Sequence, residues 1–324
     1  MPVCKTGVFP ITPLSQEERA GVEAVRFARR GSKPVPSPSF GLSLQLVLPV
    51  GVEPTSLATT GSKPAAFSSF AREACHALSM DRAREFCEAV TSSLLCDPAV
   101  LDRPGVSVKG HPARAESRVT AGYQFDKHFV ITCDPAAEAM LRAATVDMEP
   151  TLNAWHEVSV SHGGELLGAG KMKLLESTEV SRPGLPSGFV CQSLTPTDPN
   201  SLAAIAALVD DCSDDDLEEA ELEIDDLDEV IEVVLAPSGA IAAYGSSRDF
   251  DLADGFGDIG VITHPNHRGE GLGTAVVQSL IHRQRVDRIE PLYRCDPNNI
   301  GSMKLSARLG FVPVIDLLAY RFTV

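Results

Sequence analysis

No stretch of the 324 residues comes near the roughly twenty consecutive apolar side chains that a membrane-spanning helix needs. The N-terminus lacks the charged start, apolar middle and small-residue cleavage site of a secretory signal. Cysteine occurs eight times but never as C-x-x-C, and no Cys/His cluster has zinc spacing. Reduced thiols and no metal site are the expectation. Basic residues are few: 28 Lys and Arg stand against 44 Asp and Glu, and the net charge of −16 argues against a nucleic-acid partner. These absences point to a cytoplasmic chain without a membrane partner, and the length suggests about two domains.

Against that background one segment carries chemistry. Thr263-His264-Pro265-Asn266-His267-Arg268-Gly269-Glu270-Gly271-Leu272-Gly273-Thr274 lies between the apolar run Ile259 to Ile262 and the helix-like run Ala275 to Ile281. Strand, glycine-rich loop and helix start follow in that order. Glycines at alternate positions let backbone approach a ligand, and the first helical turn presents unpaired N–H groups and a positive dipole end. A pyrophosphate suits such a place. Gly269, Gly271 and Gly273 read G-x-G-x-G, without the sixth-position glycine of the dinucleotide fingerprint. About fifty residues follow the loop, too few for the rest of a dinucleotide-binding half. No G-K-[ST] follows either, which excludes a nucleotide-triphosphate loop.

What remains is R-x-x-G-x-G, Arg268 to Gly273, and a second block supports it. Asn299-Ile300-Gly301-Ser302-Met303-Lys304-Leu305-Ser306-Ala307-Arg308-Leu309-Gly310-Phe311 reads N-x-x-[SA]-x-x-L-x-x-x-L-G-F. Asn298 or Asn299 is placed to cap a helix whose Met303, Leu305 and Leu309 face a core, and Gly310 to end it in the left-handed conformation. With the strand-like Pro291 to Cys295 between them, the two blocks resemble the GNAT superfamily of acetyl-CoA-dependent N-acetyltransferases.

The resemblance covers roughly residues 188–324. It implies an α/β (α+β) fold with a mixed, mostly antiparallel twisted sheet flanked by helices. Reading backwards, strands are expected over Val190 to Leu194, Val230 to Leu235 and Ala240 to Ser246, with helices over Ser201 to Val209 and Asp216 to Asp228. A turn falls at Ala236-Pro237-Ser238-Gly239. Closing strands are expected within Phe311 to Phe322, with Pro313 at a bend. Three segments result: 1–79, an extension; 80–185, an accessory α+β domain that admits a degenerate copy of the same fold; and 186–324, the acetyltransferase domain. Ser181 to Gly188 makes a linker.

The extension is rich in Ser, Pro, Gly and Thr, without sustained periodicity. Gly21-Val22-Glu23 and Gly31-Ser32-Lys33-Pro34 recur thirty residues later as Gly51-Val52-Glu53 and Gly61-Ser62-Lys63-Pro64. Two copies without an apolar face cannot bury a core. Either the segment is a disordered tail or translation starts at Met80, the repeats being the reading of transfer-RNA-bearing DNA. Amphipathic sequence begins there with Arg82, Phe86, Val90 and Leu94. In 80–185, strands are expected over Val106 to Lys109, Phe129 to Thr132 and Glu157 to Val160, a helix over Ala136 to Thr145, and Trp155 in packing.

The chemistry the resemblance implies is direct attack of a primary amine on the thioester of acetyl-CoA in a ternary complex. The pantetheine would run along Val261, Ile262 and Thr263. Arg268, Gly269, Glu270, Gly271, Leu272, Gly273 and Thr274 would take the pyrophosphate, and Asn299 and Ser302 the far arm. An amine with a pKa near ~10.4 is protonated at neutral pH and needs a base. Asp258 is the candidate, with Asp251, Asp254, His264 and His267 nearby. The family's tyrosine acid falls on Ser306, so Tyr293 or Tyr320, or water, would protonate the thiolate. A run with no basic residue, Asp210 to Glu229, either draws a cationic amine to the acceptor side or forms a solvated helical face. The acceptor is a small-molecule or peptide amine; a homodimer is the protein partner left open. A non-catalytic acyl-CoA sensor is the alternative function.

Overall fold

Phe86 and Val90 are fully buried along one side of helix α1 (Met80–Ser93), and Leu94 is buried just beyond it. The computed structural model describes residues 80–115, 118–176, 184–228 and 230–322. The 1–79 extension and the choice between tail and Met80 start lie outside the described residues. So do residues 181–183 of the linker and Glu229 of the acidic run.

After α1 come β1 (Gly105–Gly110), β2 (Val119–Gln124), β3 (His128–Cys133), α2 (Glu138–Ala144), α3 (Leu152–Ser161) and β4 (Gly164–Leu175). The C-terminal part adds β5 (Val190–Leu194), α4 (Pro199–Asp211), α5 (Asp214–Glu219), β6 (Val230–Leu235), β7 (Ile241–Asp249) and β8 (Phe256–Thr263). It ends with α6 (Leu272–Val286), β9 (Glu290–Cys295), α7 (Ile300–Leu309) and β10 (Phe311–Phe322). All ten strands join one sheet in the order β1-β3-β2-β10-β4-β9-β8-β7-β6-β5. Among the described residues only β1 with β3 and β8 with β9 run parallel. Mixed, mostly antiparallel and flanked by helices, the sheet has the expected character. It also crosses the expected boundary at 185/186: β4, from the first part, lies between β9 and β10 of the second.

Local chemistry sets the helix starts. Asp198 accepts from Ser201 N at 2.8 Å to cap α4, and Asn299 accepts from Ser302 N at 2.9 Å to cap α7. Gly310 ends α7 at φ +85°. The hairpin between β6 and β7 closes through Gly239 N to Ala236 O at 2.8 Å.

Three expectations need correction. Glu157 to Val160, expected as a strand, belongs to α3: Thr151 caps it, and Leu152, Trp155 and Ser159 turn one helical face inward. Two β-branched valines there are outweighed by that helical spacing. The helix expected over Asp216 to Asp228 stops at Glu219, Glu221 takes φ +52°, and only a 3-10 turn at Ile224–Asp226 follows. Carboxylates three and four apart repel along such a helix, while Leu222 is drawn into the core with Ile205, Leu208 and Ile231. Finally, Phe311 to Phe322 forms one long strand, not two. The anticipated irregularity at Pro313 is present as a register shift between Pro313 and Ile315, and the neighbouring strand is β4.

Two cores flank the middle of the sheet. On one face Phe86, Val90 and Met172 pack with Phe250, Phe256, Leu292 and Leu317, so α1 covers strands of both parts. On the opposite face α6 and α7 cover Leu175, Ile259, Tyr293 and Cys295. Trp155 is fully buried further along, between Phe129, Tyr320 and Phe322. No helix of the described residues is long and apolar enough to cross a membrane.

Candidate active site

The parallel pairing of β8 with β9 runs only from Phe256↔Glu290 to Asp258↔Leu292. Beyond that the strands part. Ile259 to Thr263 stay paired to β7 alone, while Leu292 to Cys295 pair with β4, Lys173↔Tyr293 and Lys171↔Cys295 among them. The result is a wedge in the sheet with backbone polar groups of β8 turned toward it. An extended chain bearing amides can continue the β8 ladder there. Val261, Ile262 and Thr263, the expected pantetheine positions, form that wall of the wedge.

The glycine loop stands at its mouth. Gly269 and Gly271 have φ of +83° and +81°, and Gly271 sits at the N-terminus of α6. A Cβ at either would meet nothing within 4 Å, so what demands glycine there is the left-handed turn and the open space in front of it. Gly273 serves packing instead: a Cβ would approach Thr263 Oγ1 to 2.9 Å and Leu305 Cδ1 to 3.1 Å. Helix α6 can therefore lie close on β8 and α7, its free N–H groups aimed at the mouth. These residues fit a pyrophosphate.

Several groups of that mouth are held by the acidic segment. Arg268 donates to Asp216 at 2.7 Å and through Nε to Thr263 O at 3.3 Å. His264 Nε2 lies 3.2 Å from Asp211, and Asn299 Nδ2 donates to Glu219. Burial works against the charge of Asp216, but Ser213 and Arg268 override it and lower its pKa. Burial, with Asp216 and Asp296 adding to it, raises that of Glu219. Most of the acidic run is exposed, as a solvated face would be, yet Asp216, Glu219, Glu221 and Asp228 turn toward the site.

The opposite side of the wedge is a buried charge cluster. Arg294 Nε donates to Asp258 Oδ2 at 2.6 Å and Nη2 to Glu221 at 2.9 Å. Arg248 pairs with Asp228 at 2.9 Å and donates to Glu221 O at 3.2 Å. Burial opposes the charge of Arg294, but Asp258 and Glu221 outweigh it and hold its pKa above the ordinary value. Burial pushes Glu221 and Asp228 upward against their arginine partners. These five side chains, with Glu219, Ser246 and Gly260, line a small pocket. Asp258 Oδ1 is buried with no hydrogen-bond partner among the described residues.

Asp258 is thus brought to the wedge beside Val261 to Thr263 and the loop. Tyr293 is near too, on the α7 face, its hydroxyl buried without a partner among the described residues. Burial pushes that phenol well above its ordinary pKa. Tyr320 is not brought there: its hydroxyl lies 2.6 Å from His156 in the apolar cluster around Trp155, three strands from β8. Asn299 and Ser302 are together at the start of α7, engaged as cap and capped amide. The sequence reading passed over Arg294, Arg248 and Lys173. Arg294 is a charge within the strand-like run Pro291 to Cys295, and that was the available signal; Arg248 and Lys173 stand in stretches interrupted by glycine, serine and lysine, which carry none.

Residues 202–311 match the model of the acetyltransferase (GNAT) family. This segment is a GNAT acetyltransferase domain, and the family is one of acyl transfer. Among solved structures, the chain is similar to a GNAT-family acetyltransferase of Colwellia psychrerythraea at 17% identity, covering 53% of this chain and 62% of that one, with a TM-score of 0.40. A GCN5-related N-acetyltransferase of Kribbella flavida gives 18% identity, 52% and 63% coverage and 0.40. Another, from Sphaerobacter thermophilus, gives 15%, 76% and 92%, and 0.45. The chain spans less than two thirds of the first of these. A search of curated proteins returns no match.

Proposed function

We propose that the chain moves an acetyl group from acetyl-CoA to a primary amine by direct attack in a ternary complex. The observation that carries this reading is the wedge between β8 and β9, with an anion-accepting helix start at its mouth and a carboxylate at its base. Val261 to Thr263 take the pantetheine amides, and Arg268 to Thr274 the pyrophosphate. Asn299 and Ser302 lie toward the cofactor's far arm. When bound, acetyl-CoA supplies the activated acyl group. The acceptor enters the pocket on the Asp258 face. Four carboxylates there, Glu219, Glu221, Asp228 and Asp258, meet two guanidiniums, an acidic excess that favours an ammonium. Asp258, with Oδ2 anchored by Arg294, offers Oδ1 to the amine and takes its proton.

A second reading is a non-catalytic acyl-CoA sensor, favoured by Ser306 at the family's tyrosine position. Calorimetric titration of the full chain with acetyl-CoA, NADH as control, separates the two when thiol release over a panel of amines is followed in the same sample. Selective binding with amine-dependent thiol release is expected. Binding without release would shift the function to sensing, and no binding would remove both readings.

Asp258→Asn keeps the shape and one hydrogen bond to Arg294 but loses the base. Turnover should fall ~100-fold while acetyl-CoA affinity stays at the wild-type value. Unchanged turnover would take the base role from Asp258.

A further inference from the structure

Lys173 on β4 is a buried amine without an ion-pair partner among the described residues. Its side chain is almost fully buried, with Nζ 2.7 Å from Ser306 Oγ and 3.0 Å from Met303 Sδ. Among the described residues no carboxylate forms an ion pair with it. Lys171, two residues earlier on the same face, takes Asp316 at 2.6 Å. An ammonium buried among neutral partners is expensive, and such a group, set against a cleft, is a candidate for chemistry.

Its position gives the task. Lys173 pairs with Tyr293 across β4 and β9, and with Tyr293 and Cys295 it faces α7, which brings Met303 and Ser306 over them. Asp258 and Arg294 open on the other face of the same sheet. The wedge lies between the two sets. With the phosphate site at the N-terminus of α6, the cofactor approaches from the α6–α7 face and the amine from the Asp258 face. The thiol therefore departs toward α7. There Ser306 is fully buried, its hydroxyl donating to Ser302 O at 2.8 Å while accepting from Lys173.

We infer that Ser306 and Lys173 are the proton-delivery pair for the departing thiolate, Ser306 meeting the sulfur and Lys173 supplying the proton behind it. The inference rests on the acyl-transfer reading above. As the amine nitrogen bonds to the carbonyl carbon, the carbon–sulfur bond breaks and its electron pair stays on sulfur. Ser306 swings its hydroxyl from the Ser302 carbonyl and gives its proton to sulfur. In the same step Ser306 oxygen takes a proton from the Lys173 ammonium, which becomes a neutral amine and recovers a proton from water. The proton lost by the acceptor leaves through Asp258 to water.

Burial lowers the Lys173 pKa from the ordinary lysine value, with Cys295 and Asp316 opposing and Lys171 assisting. The titratable groups that face it are Cys295 and Tyr293 on β9, Lys171 on β4 and Asp316 on β10. Below its pKa Lys173 carries the proton to be delivered; above it the pair is spent. Turnover should therefore fall on the alkaline side, earlier than an unperturbed lysine would allow.

The test uses the full chain, with thiol release from acetyl-CoA measured against pH for the wild type, Lys173→Met, Ser306→Ala, Tyr293→Phe and the Lys173→Met/Ser306→Ala double variant. Lys173→Met should lose about 100-fold in kcat, keep the KM for acetyl-CoA, and lack the alkaline fall. The double variant should be no slower than the worse single one, since the two residues act as a unit. Should Lys173→Met fail to fold, Ser306→Ala carries the same test by removing a single oxygen. Turnover of both variants within threefold of wild type, or loss of the alkaline fall in Tyr293→Phe instead, would overturn the inference alone. A wild type that binds acetyl-CoA and releases no thiol with any amine would overturn the acyl-transfer reading and this inference with it.

Discussion

Gly271→Glu is expected to abolish the proposed acetyl-CoA binding. The substitution acts twice at one point: it forces a side chain onto a backbone held at φ +81°, and it sets a carboxylate in the open space before the first N–H groups of α6. The left-handed conformation alone costs about 1–2 kcal/mol for a residue with a Cβ. That is roughly tenfold if it falls on the bound state. The charge removes the rest, because a carboxylate occupies the dipole end that the pyrophosphate needs and repels the anion. Gly163→Glu is the control. Gly163 has φ +76° in an open turn before β4, so it carries similar backbone strain without the anion site. Titration calorimetry should give no heat for the first variant and wild-type affinity for the second. Measurable binding by Gly271→Glu would mean that phosphate is not held at this loop.

The largest effect on stability is expected from Arg294→Ala. Arg294 is the only contact between β9 and both Glu221 and Asp258 among the ion pairs described, and all three side chains are nine-tenths buried or close to it. Removing the guanidinium strands Asp258 in the interior and leaves Glu221 with Arg248 alone, at 3.7 Å. Breaking a buried pair in this way costs about 3–5 kcal/mol, far more than the pair itself contributes. The loss should depend on pH with a definite sign. Burial already holds the pKa of Glu221 above its ordinary value and losing Arg294 raises it further, so the folded variant binds more protons than the unfolded chain. Its stability then falls as pH rises through the unfolded carboxylate range and is partly recovered on acidification. Urea unfolding of variant and wild type at pH 5 and pH 7.5 checks both statements. A difference below ~1 kcal/mol at the higher pH would show the cluster to be solvated and expendable.

What could be read from the sequence was what lies close together along it. The loop from Thr263 to Thr274 and the capped helix from Asn299 to Gly310 are local objects, determined by glycine, a capping amide and helical spacing. Strands β5, β6 and β9 were legible because short, mostly apolar stretches stand between turn signals, broken only by Gln192 and Ser193, by Glu232 and by Arg294. Strand β4 was not: three glycines and two lysines interrupt Gly164 to Leu175, and its place beside β9 depends on partners more than a hundred residues away. The glycine-loop side of the candidate site was visible for the same local reason. The charge cluster around Asp258 was hidden, since Arg294 reaches Glu221 from 73 residues away, and nothing in either neighbourhood announces the other. Lys173 and Ser306, 133 residues apart, meet only because β4 enters the second part of the sheet.

That arrangement also fixes an order of assembly. Strand β10, the last of the ten to leave the ribosome, lies between β2 and β4, which are paired with it and not with each other. Until it emerges, β1 to β3 form a three-stranded fragment with no strand pairing to the strands made after them. The nascent chain therefore waits with two exposed strand edges, separated by a gap one strand wide. Long-range closure of this kind is slow, and an unpaired edge invites association with other chains. The segment from Phe311 to Phe322 acts as a keystone between the two groups of strands, and faults in translation or proteolysis there would fall on the whole sheet.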